Sequence, residues 1–215
     1  MGNNGTLSDG TLAAALAGRL VRAAEELGAY RAAVIPADRI RTDASYRELC
    51  SANTCGNYGG CWTCPPYAGD IRELMARVPA YRHALVYQTV APLEDSCDFE
   101  GMEEAGAVHN RLMLALRERI DGENLPRVLH LGAGGCRICP VCAVRTDEPC
   151  RHPDKATPSL ESYGVDVASM AEAAGMKYIN GQNTVTYFGA VLFDPPESDA
   201  AEAEGLCKSR SESAI

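Results

Sequence analysis

Three cysteines, Cys136, Cys139 and Cys142, are separated from one another by two residues each, and Cys150 follows after seven more. Thiolates at this spacing close around one compact centre, which suits several irons of a cubane and crowds a single zinc ion. We therefore predict that this late quartet binds a [4Fe-4S] cluster. Zinc and ordinary buried thiols are the alternatives.

A second group of four cysteines, the early quartet, lies within 15 residues: Cys50, Cys55, Cys61 and Cys64. Glycines between them let the backbone approach a bulky centre closely enough for amides to hydrogen-bond sulfur. A second [4Fe-4S] cluster is the first interpretation. A structural zinc site is the alternative, since Cys61-x2-Cys64 is one zinc knuckle and Cys50-x4-Cys55 can serve as the other half. A third interpretation is that the early quartet binds no metal.

The two quartets can also exchange a ligand, as in two-cluster ferredoxins, where a cysteine that precedes proline closes the other cluster. Cys64 and Cys150 are the candidates for this exchange, because each lies at the end of its quartet. Cys97 and Cys207 have no partner at a ligand spacing, so we assign them no role.

Four other side chains lie beside these cysteines. Arg151 and His152 follow Cys150 directly and can steady an anionic thiolate shell, or can be ordinary surface residues. Tyr58 and Trp62 can cover a cluster and exclude water, or can simply anchor the early loop (residues 50–64).

Composition narrows the class of protein. The net charge of −9 and the pI of about 5.0 argue against a nucleic-acid or membrane-surface partner and favour a basic redox partner. Ten cysteines among 215 residues are too few for a disulfide scaffold and too many for an ordinary cytosolic protein, so metal or redox use is favoured. We expect a cytoplasmic, reducing setting, because clusters and free thiols survive oxidation poorly. The oligomeric state is left open.

Hydrophobic periodicity predicts an α/β or α+β fold with a central sheet of about four strands flanked by helices, from which two cysteine-rich metal-binding loops emerge. We expect one domain over residues 1–196 and a flexible tail over 197–215. The predicted helices span 12–27, 71–78, 102–120 and 165–174, and the predicted strands span 32–35, 81–91, 127–131 and 183–194. The last strand is expected to bulge or bend at Gly189.

Four motifs in this order resemble one family. They are C-x4-C-G-N-Y-G-G-C-W-T-C-P-P from Cys50, G-G-C-R-I-C-P-V-C-A from Gly134, C-R-H-P from Cys150 and S-L-E-S-Y-G-V-D-V from Ser159. Together they are similar to the domain of unknown function 2284 family of predicted metal-binding proteins, over residues 39–194. The resemblance implies metal binding through all eight cysteines and an occurrence mainly in anaerobic organisms. It implies no particular activity.

The first functional hypothesis is a protein with two [4Fe-4S] clusters that transfers electrons, or donates them to a partner enzyme, in anaerobic metabolism. Eight thiolates saturate two cubanes, and saturated clusters move electrons rather than bind substrates. A maturation or interaction protein with structural zinc sites is one alternative. An iron-sulfur enzyme, with a cluster short of one cysteine or a substrate pocket between the cysteine loops, is the other. Whether the protein is an enzyme is therefore left open.

Overall fold

The structure, a computed structural model, describes residues 9–196. Its strands are β1 (Arg31–Pro36), β2 (His83–Pro92), β3 (Arg127–Leu131) and β4 (Thr184–Asp194). They form one four-stranded sheet in the order β1-β2-β4-β3, with every neighbouring pair antiparallel. The predicted four-stranded sheet is confirmed, and of the two fold classes α+β is the right one. The predicted tail over residues 197–215, with Cys207 in it, lies outside the described residues.

Five helices surround the sheet. They are α1 (Asp9–Glu26), α2 (Ala44–Glu48), α3 (Ile71–Arg77), α4 (Phe99–Asp121) and α5 (Val167–Ala173). The periodic leucines of α1 and α4, such as Leu16, Leu20 and Leu116, pack on one face of the sheet against Leu85 and Val191. Within residues 9–196, the helices are all too short or too polar to cross a bilayer.

The other face of the sheet is covered by α3, α5 and the segment between the late cysteines and α5. Leu74, Tyr163 and Met170 pack there with Val86 and Leu192 in a second core. Neighbouring strand residues thus point into different cores, as the two-residue period of a strand requires. Because both faces are covered, the sheet is a stable platform for the loops at its end.

Two details differ from the sequence prediction. Helix α4 begins at Phe99 rather than at residue 102, because the carboxylate of Asp98 accepts the backbone N–H of Gly101 at 2.8 Å and caps the helix earlier. The bulge expected at Gly189 does not form, since Gly189 pairs directly with Tyr87 in a regular ladder. A Cβ at position 189 would collide with the Tyr87 ring, so this glycine makes room for a tyrosine.

Strand β4 is longer than strand β3, and the cysteine loops lie at the end of β4 that β3 does not cover. Strand β3 ends at Leu131, opposite Ala190, so residues 184–189 of β4 extend beyond it. The chain then turns into the glycine segment (residues 132–135) and the late loop (residues 136–150). Gly132 holds the segment before α5 by two backbone bonds, from its amide to Pro158 and from the amide of Leu160 to its carbonyl, each 2.9 Å. Both cysteine loops therefore meet at this end of β4.

Candidate metal centre

Two buried serines, Ser159 and Ser162, hold the early loop in position. Ser162 donates from Oγ to the carbonyl oxygen of Thr63 at 3.2 Å, and its amide donates to Oγ of Ser159 at 3.1 Å. Both serines are buried. Thr63 lies between Cys61 and Cys64, so this bond sets the positions of both sulfur atoms.

The early and late loops also touch each other. The indole N–H of Trp62 donates to the carbonyl oxygen of Glu148 at 3.0 Å, which joins the middle of one loop to the end of the other. Asn57 lies so close to Gly135 that a Cβ there would come within 2.6 Å of its Cγ. Only glycine allows this approach. The two loops are therefore parts of one structure rather than separate sites.

Five cysteines line one small pocket between the loops, with a volume of about 20 Å³. They are the four members of the late quartet and Cys61 of the early quartet: Cys61, Cys136, Cys139, Cys142 and Cys150. We call this group the five-cysteine site. The structure brings the late quartet together, as its spacing predicts, and adds a fifth thiol from the other loop.

Cys61 is the residue that crosses between the loops. Its Sγ lies 4.0 Å from the carbonyl oxygen of Cys136 and 3.2 Å from Oγ1 of Thr63. The pKa of Cys61 is held far below its usual value, chiefly because the thiols of Cys136 and then Cys64 donate hydrogen bonds to it. The same contact with Cys61, followed by burial, raises the pKa of Cys136. Sequence spacing had instead suggested Cys64 or Cys150 as the crossing ligand.

The other three early cysteines, Cys50, Cys55 and Cys64, line a much larger cavity of about 620 Å³. We call them the three-cysteine site. Cys64 is buried, Cys50 is half-buried and Cys55 is exposed, so the three thiols run from the floor of the cavity to its mouth. Three of the eight predicted ligands thus line the large cavity and five line the small pocket, whereas the sequence suggests four and four, and Cys61 links the two groups through its hydrogen bonds with Cys136 and Cys64.

Aromatic and aliphatic side chains form much of the cavity wall. Tyr178 stacks on Phe188, with ring centroids 5.9 Å apart, and Tyr187 is held in place by donating its hydroxyl to the carbonyl oxygen of Met102 at 2.8 Å. Tyr58 lines the cavity beside the three cysteines and is 42% exposed, so it stands at the mouth. The sequence raises a substrate pocket between the cysteine loops only as an alternative and does not locate it, because the early loop, residues 159–168 and strand β4 enclose this cavity jointly.

Two thiols of the three-cysteine site are held in the neutral form. Burial first, and then the negative charges of Glu161 and Cys55, raise the pKa of Cys50. The hydrogen bond to Cys61, and then burial, raise the pKa of Cys64. Since only thiolates bind metal, a cation at the site would have to displace these protons, and the positive charge of the metal favours that loss.

Arginines stand beside the five-cysteine site. Burial lowers the pKa of Arg117, while the charges of Asp121 and then Cys136 oppose this shift. Arg117 also donates to the carbonyl oxygen of Asp154 at 3.0 Å and to Oγ1 of Thr157 at 3.1 Å. Arg117 lies 19 residues before Cys136 along the chain, and sequence reasoning missed it because only the fold brings it close.

Arg151 and His152 lie where the sequence suggested. Glu148 raises the pKa of Arg151 most, and a hydrogen bond to Cys139 adds to it. His152 and Trp62 line the small pocket with the five cysteines. Backbone amides also contribute, since the N–H groups of Ile138 and Thr157 donate to the sulfur of Cys136. Hydrogen bonds and positive charges of this kind tune a sulfur-ligated metal.

The remaining cysteines and histidines do not join either site. Cys97 is exposed in the acidic segment before α4, and Cys207 lies outside the described residues. His83, His109 and His130 line neither cavity. In the part of the chain that the structure describes, no three His, Cys, Asp or Glu side chains converge closely enough to hold a single metal ion. All nine cysteines in that part are free thiols.

A compact α+β fold with eight cysteines on two touching loops defines a cysteine-rich metal-binding protein. A family model for predicted metal-binding proteins, DUF2284, matches residues 33–193, about three quarters of the chain. The chain belongs to the DUF2284 family, which confirms the resemblance seen in its motifs. No curated protein and no solved structure matches it. The family establishes metal binding in general terms and leaves the identity of the metal to be argued from the residues.

Proposed function

We propose that the protein carries two iron-sulfur clusters and transfers single electrons. The observation that carries this proposal is the grouping of the cysteines, five around one pocket and three around the adjoining cavity. Sites built almost entirely of thiolates select zinc, copper(I) or iron-sulfur clusters. A four-coordinate zinc ion and a cubane each take four thiolates, so the number of cysteines does not separate them; the two-residue spacing of Cys136, Cys139 and Cys142, which suits several irons and crowds a single zinc ion, favours the cluster.

The surroundings of the five-cysteine site support a redox role. Amide N–H groups donate to Cys136, and the cations of Arg117 and Arg151 lie beside Cys136 and Cys139. Each of these stabilises the extra negative charge that a cluster gains when it accepts an electron. When bound, the cluster supplies a reversible one-electron couple, and these residues set its reduction potential.

The five-cysteine site also lies near the surface. Val141, between Cys139 and Cys142, is 56% exposed, so an electron-carrier protein can approach the late loop closely. The partner protein would give up one electron and be oxidised, and the cluster would be reduced. The charge around the late loop differs from the net charge of −9 of the whole chain, because residues 136–156 carry four basic and three acidic side chains. We therefore infer a partner of mixed surface charge rather than a strongly basic one.

Metal analysis of the full chain tests this proposal. The protein is produced and purified without oxygen, its iron, acid-labile sulfide and zinc are measured, and EPR spectra are recorded after reduction with dithionite. We expect about eight irons and about eight sulfides per chain, with a signal from reduced clusters. Zinc without iron would contradict the proposal and favour a structural metal site in an interaction protein.

A matched control separates ligand loss from general damage. Cys97→Ser removes an exposed cysteine that lies in neither site, so we expect its iron content to equal that of the unaltered chain. A fall in iron in this variant would mean that the iron is bound adventitiously by accessible thiols.

A further inference from the structure

We propose that the mouth of the large cavity and the acidic segment beside it (residues 94–104) form a docking surface for a basic protein partner. This partner presents an apolar contact patch ringed by lysines or arginines. Docking itself needs only the protein surface, whereas its use as an exit for electrons rests on the proposed function. The partner is a second one, because none of residues 136–156, where the first partner is expected, lies among the described wall residues of this cavity.

The first support is an apolar patch at the cavity mouth. Leu49, which is 70% exposed, lines the cavity together with the exposed rings of Tyr58 and Tyr178. Ile179 follows Tyr178 in the chain and is 75% exposed. Single exposed apolar side chains are normal on a protein surface, whereas a group of them marks an interaction site. We call these four residues the mouth patch.

The mouth patch lies beside the three-cysteine site. Cys55 is exposed and lines the cavity together with Leu49 and Tyr58. A protein that covers the mouth patch therefore faces Cys55 and the cysteines behind it rather than the late loop.

The second support is the uneven distribution of charge. Residues 9–196 carry 24 acidic and 18 basic side chains, and residues 94–104 hold six of the acidic ones and none of the basic ones. The rest of the described chain therefore has no net charge, with 18 side chains of each sign. None of the six carboxylates pairs with an arginine or lysine of the described chain. Unpaired charges of one sign attract a partner of the opposite sign.

The acidic segment adjoins the cavity through Tyr187. This residue lines the cavity and donates its hydroxyl to the carbonyl oxygen of Met102 at 2.8 Å, and a Cβ at Gly106 would lie 3.5 Å from its ring. The side chain of Asn183, just before β4, donates to the carbonyl oxygen of Glu94 at 3.2 Å. The first turns of α4 are therefore held against the strand that forms the cavity wall.

The charge of the cavity wall has the same sign. Glu161 and Asp166 line the cavity, and arginine, lysine and histidine are absent from its described wall residues. Arg47 is the cation that acts on Cys50, and its effect is weaker than that of Glu161. Protein interfaces have an apolar centre and a polar rim, so a mouth patch beside carboxylates fits a partner with an apolar centre and a basic rim.

Binding of cytochrome c tests this surface, because that small basic protein has an apolar haem edge ringed by lysines. Isothermal titration calorimetry with the full chain is run at low and at physiological ionic strength. We expect one cytochrome c per chain and an affinity that falls by about tenfold at the higher ionic strength, since salt screens exposed charges. Cytochrome c with succinylated lysines keeps the haem edge and loses the positive charge, so it should not bind. Equal binding of both forms would overturn the proposal.

Two sets of substitutions locate the contact. Glu100→Gln/Glu103→Gln/Glu104→Gln removes three exposed charges of the acidic segment, and Leu49→Ser/Ile179→Ser removes the two most exposed members of the mouth patch. Each set should weaken binding of cytochrome c by about tenfold. These side chains are exposed, so the fold does not depend on them.

Matched variants elsewhere on the chain serve as controls. Glu25→Gln/Glu73→Gln/Glu118→Gln changes the net charge by the same amount, and Leu27→Ser/Tyr30→Ser removes two other exposed apolar side chains. Both should bind cytochrome c as the unaltered chain does. An equal loss of affinity in this charge control would mean that net charge alone attracts cytochrome c, which overturns the docking surface. Unchanged binding in Leu49→Ser/Ile179→Ser would overturn its apolar centre.

The iron content of the same samples separates the two possible failures. A chain that contains iron and does not bind cytochrome c overturns the docking surface and leaves the proposed function in place. A chain that binds cytochrome c at this surface and contains no iron supports the docking surface and contradicts the proposed function.

Discussion

The five-cysteine site and the three-cysteine site use the same ligand chemistry in opposite surroundings. One has more thiols than a cubane needs around a space of about 20 Å³, and the other has fewer than a cubane needs beside a cavity of about 620 Å³. The charges of Arg117 and Arg151 act on the first, and those of Glu161 and, more weakly, Arg47 act on the second. The comparison teaches that cysteines of one chain can differ in number, free space and neighbouring charge from one site to the next, although the ligand type is the same.

Cys61 produces this difference. It belongs to the early loop by sequence and lines the five-cysteine site, where Cys136 contacts its sulfur, while a second hydrogen bond joins it to Cys64 of the three-cysteine site. With Cys61 counted there, the five-cysteine site has one thiol more than a cubane needs, and the three-cysteine site has one thiol fewer. The two sites should therefore respond differently to the loss of ligands, to oxidation and to changes of charge.

Removal of ligands until fewer than three cysteines remain at one site has the largest expected effect. Cys136→Ala/Cys139→Ala/Cys142→Ala leaves only Cys61 and Cys150 at the five-cysteine site, and should lose about four of about eight irons and keep the cluster of the three-cysteine site. Cys50→Ala/Cys55→Ala should lose about four and keep the other cluster. Iron analysis and EPR of the anaerobic protein measure both. Circular dichroism checks that each variant keeps its helical content. If a folded variant loses all its iron, the cysteines of both sites bind a single metal centre.

Mild oxidation should affect the sites unequally. Cys55 is exposed, whereas the late cysteines are half-buried and Cys61 is buried, so an oxidant reaches the three-cysteine site more easily, and one equivalent of ferricyanide should remove about one iron per chain there and leave a three-iron cluster. EPR detects the three-iron product. The same product in Cys50→Ala/Cys55→Ala would place the weakly held iron in the five-cysteine site and reverse the expected difference.

Arg117→Gln should lower the reduction potential of the five-cysteine cluster. Loss of a half-buried positive charge near Cys136 destabilises the reduced, more negative state. We expect a shift on the order of 60 mV, which is a tenfold change in a one-electron equilibrium. An EPR-monitored redox titration measures it.

Two further variants of α4 serve as controls for Arg117. Arg117→Lys keeps the charge and should stay near the original potential. Arg119→Gln removes an arginine whose side chain is 62% exposed and pairs with Glu26, so it should leave the potential unchanged. A similar shift in Arg119→Gln would indicate a general effect of net charge and not a contact with the cluster.

Glu161→Gln should raise the potential of the three-cysteine cluster, which is the opposite direction. The substitution removes a negative charge near Cys50. Because Glu161 is only partly buried and water screens it, we expect a smaller shift, on the order of 20 mV. Glu172→Gln, an exposed position on α5, is the matched control. A downward shift in Glu161→Gln would contradict this placement of the charge.

The sequence predicts the elements well and the partition of the cysteines poorly. Strand β3 and helix α3 follow from local periodicity, and the four late cysteines meet because their spacing is itself local. Cys61 and Cys64 have the same local pattern, yet they line different cavities, and the turn between them is bonded to Ser162, 99 residues from Thr63 in the chain. No local pattern carries that information.

The bulge predicted at Gly189 was also wrong because the deciding contact is distant in the sequence. A glycine inside a strand suggests a bulge when only its neighbours in sequence are known. The structure shows that the residue across the ladder, Tyr87, is the reason for the glycine. Arg117 and the large cavity likewise arise from elements that are distant in the chain, so periodicity and spacing could not reveal them.

The most direct test of the division into two sites is anomalous X-ray diffraction at the iron edge, on crystals of the full chain grown without oxygen. We predict two separate iron positions. One lies among Cys61 and the late quartet, and the other among Cys50, Cys55 and Cys64 on the wall of the large cavity. A single iron position that bridges Cys61, Cys64 and Cys136, or an anomalous signal from zinc alone, would contradict the division.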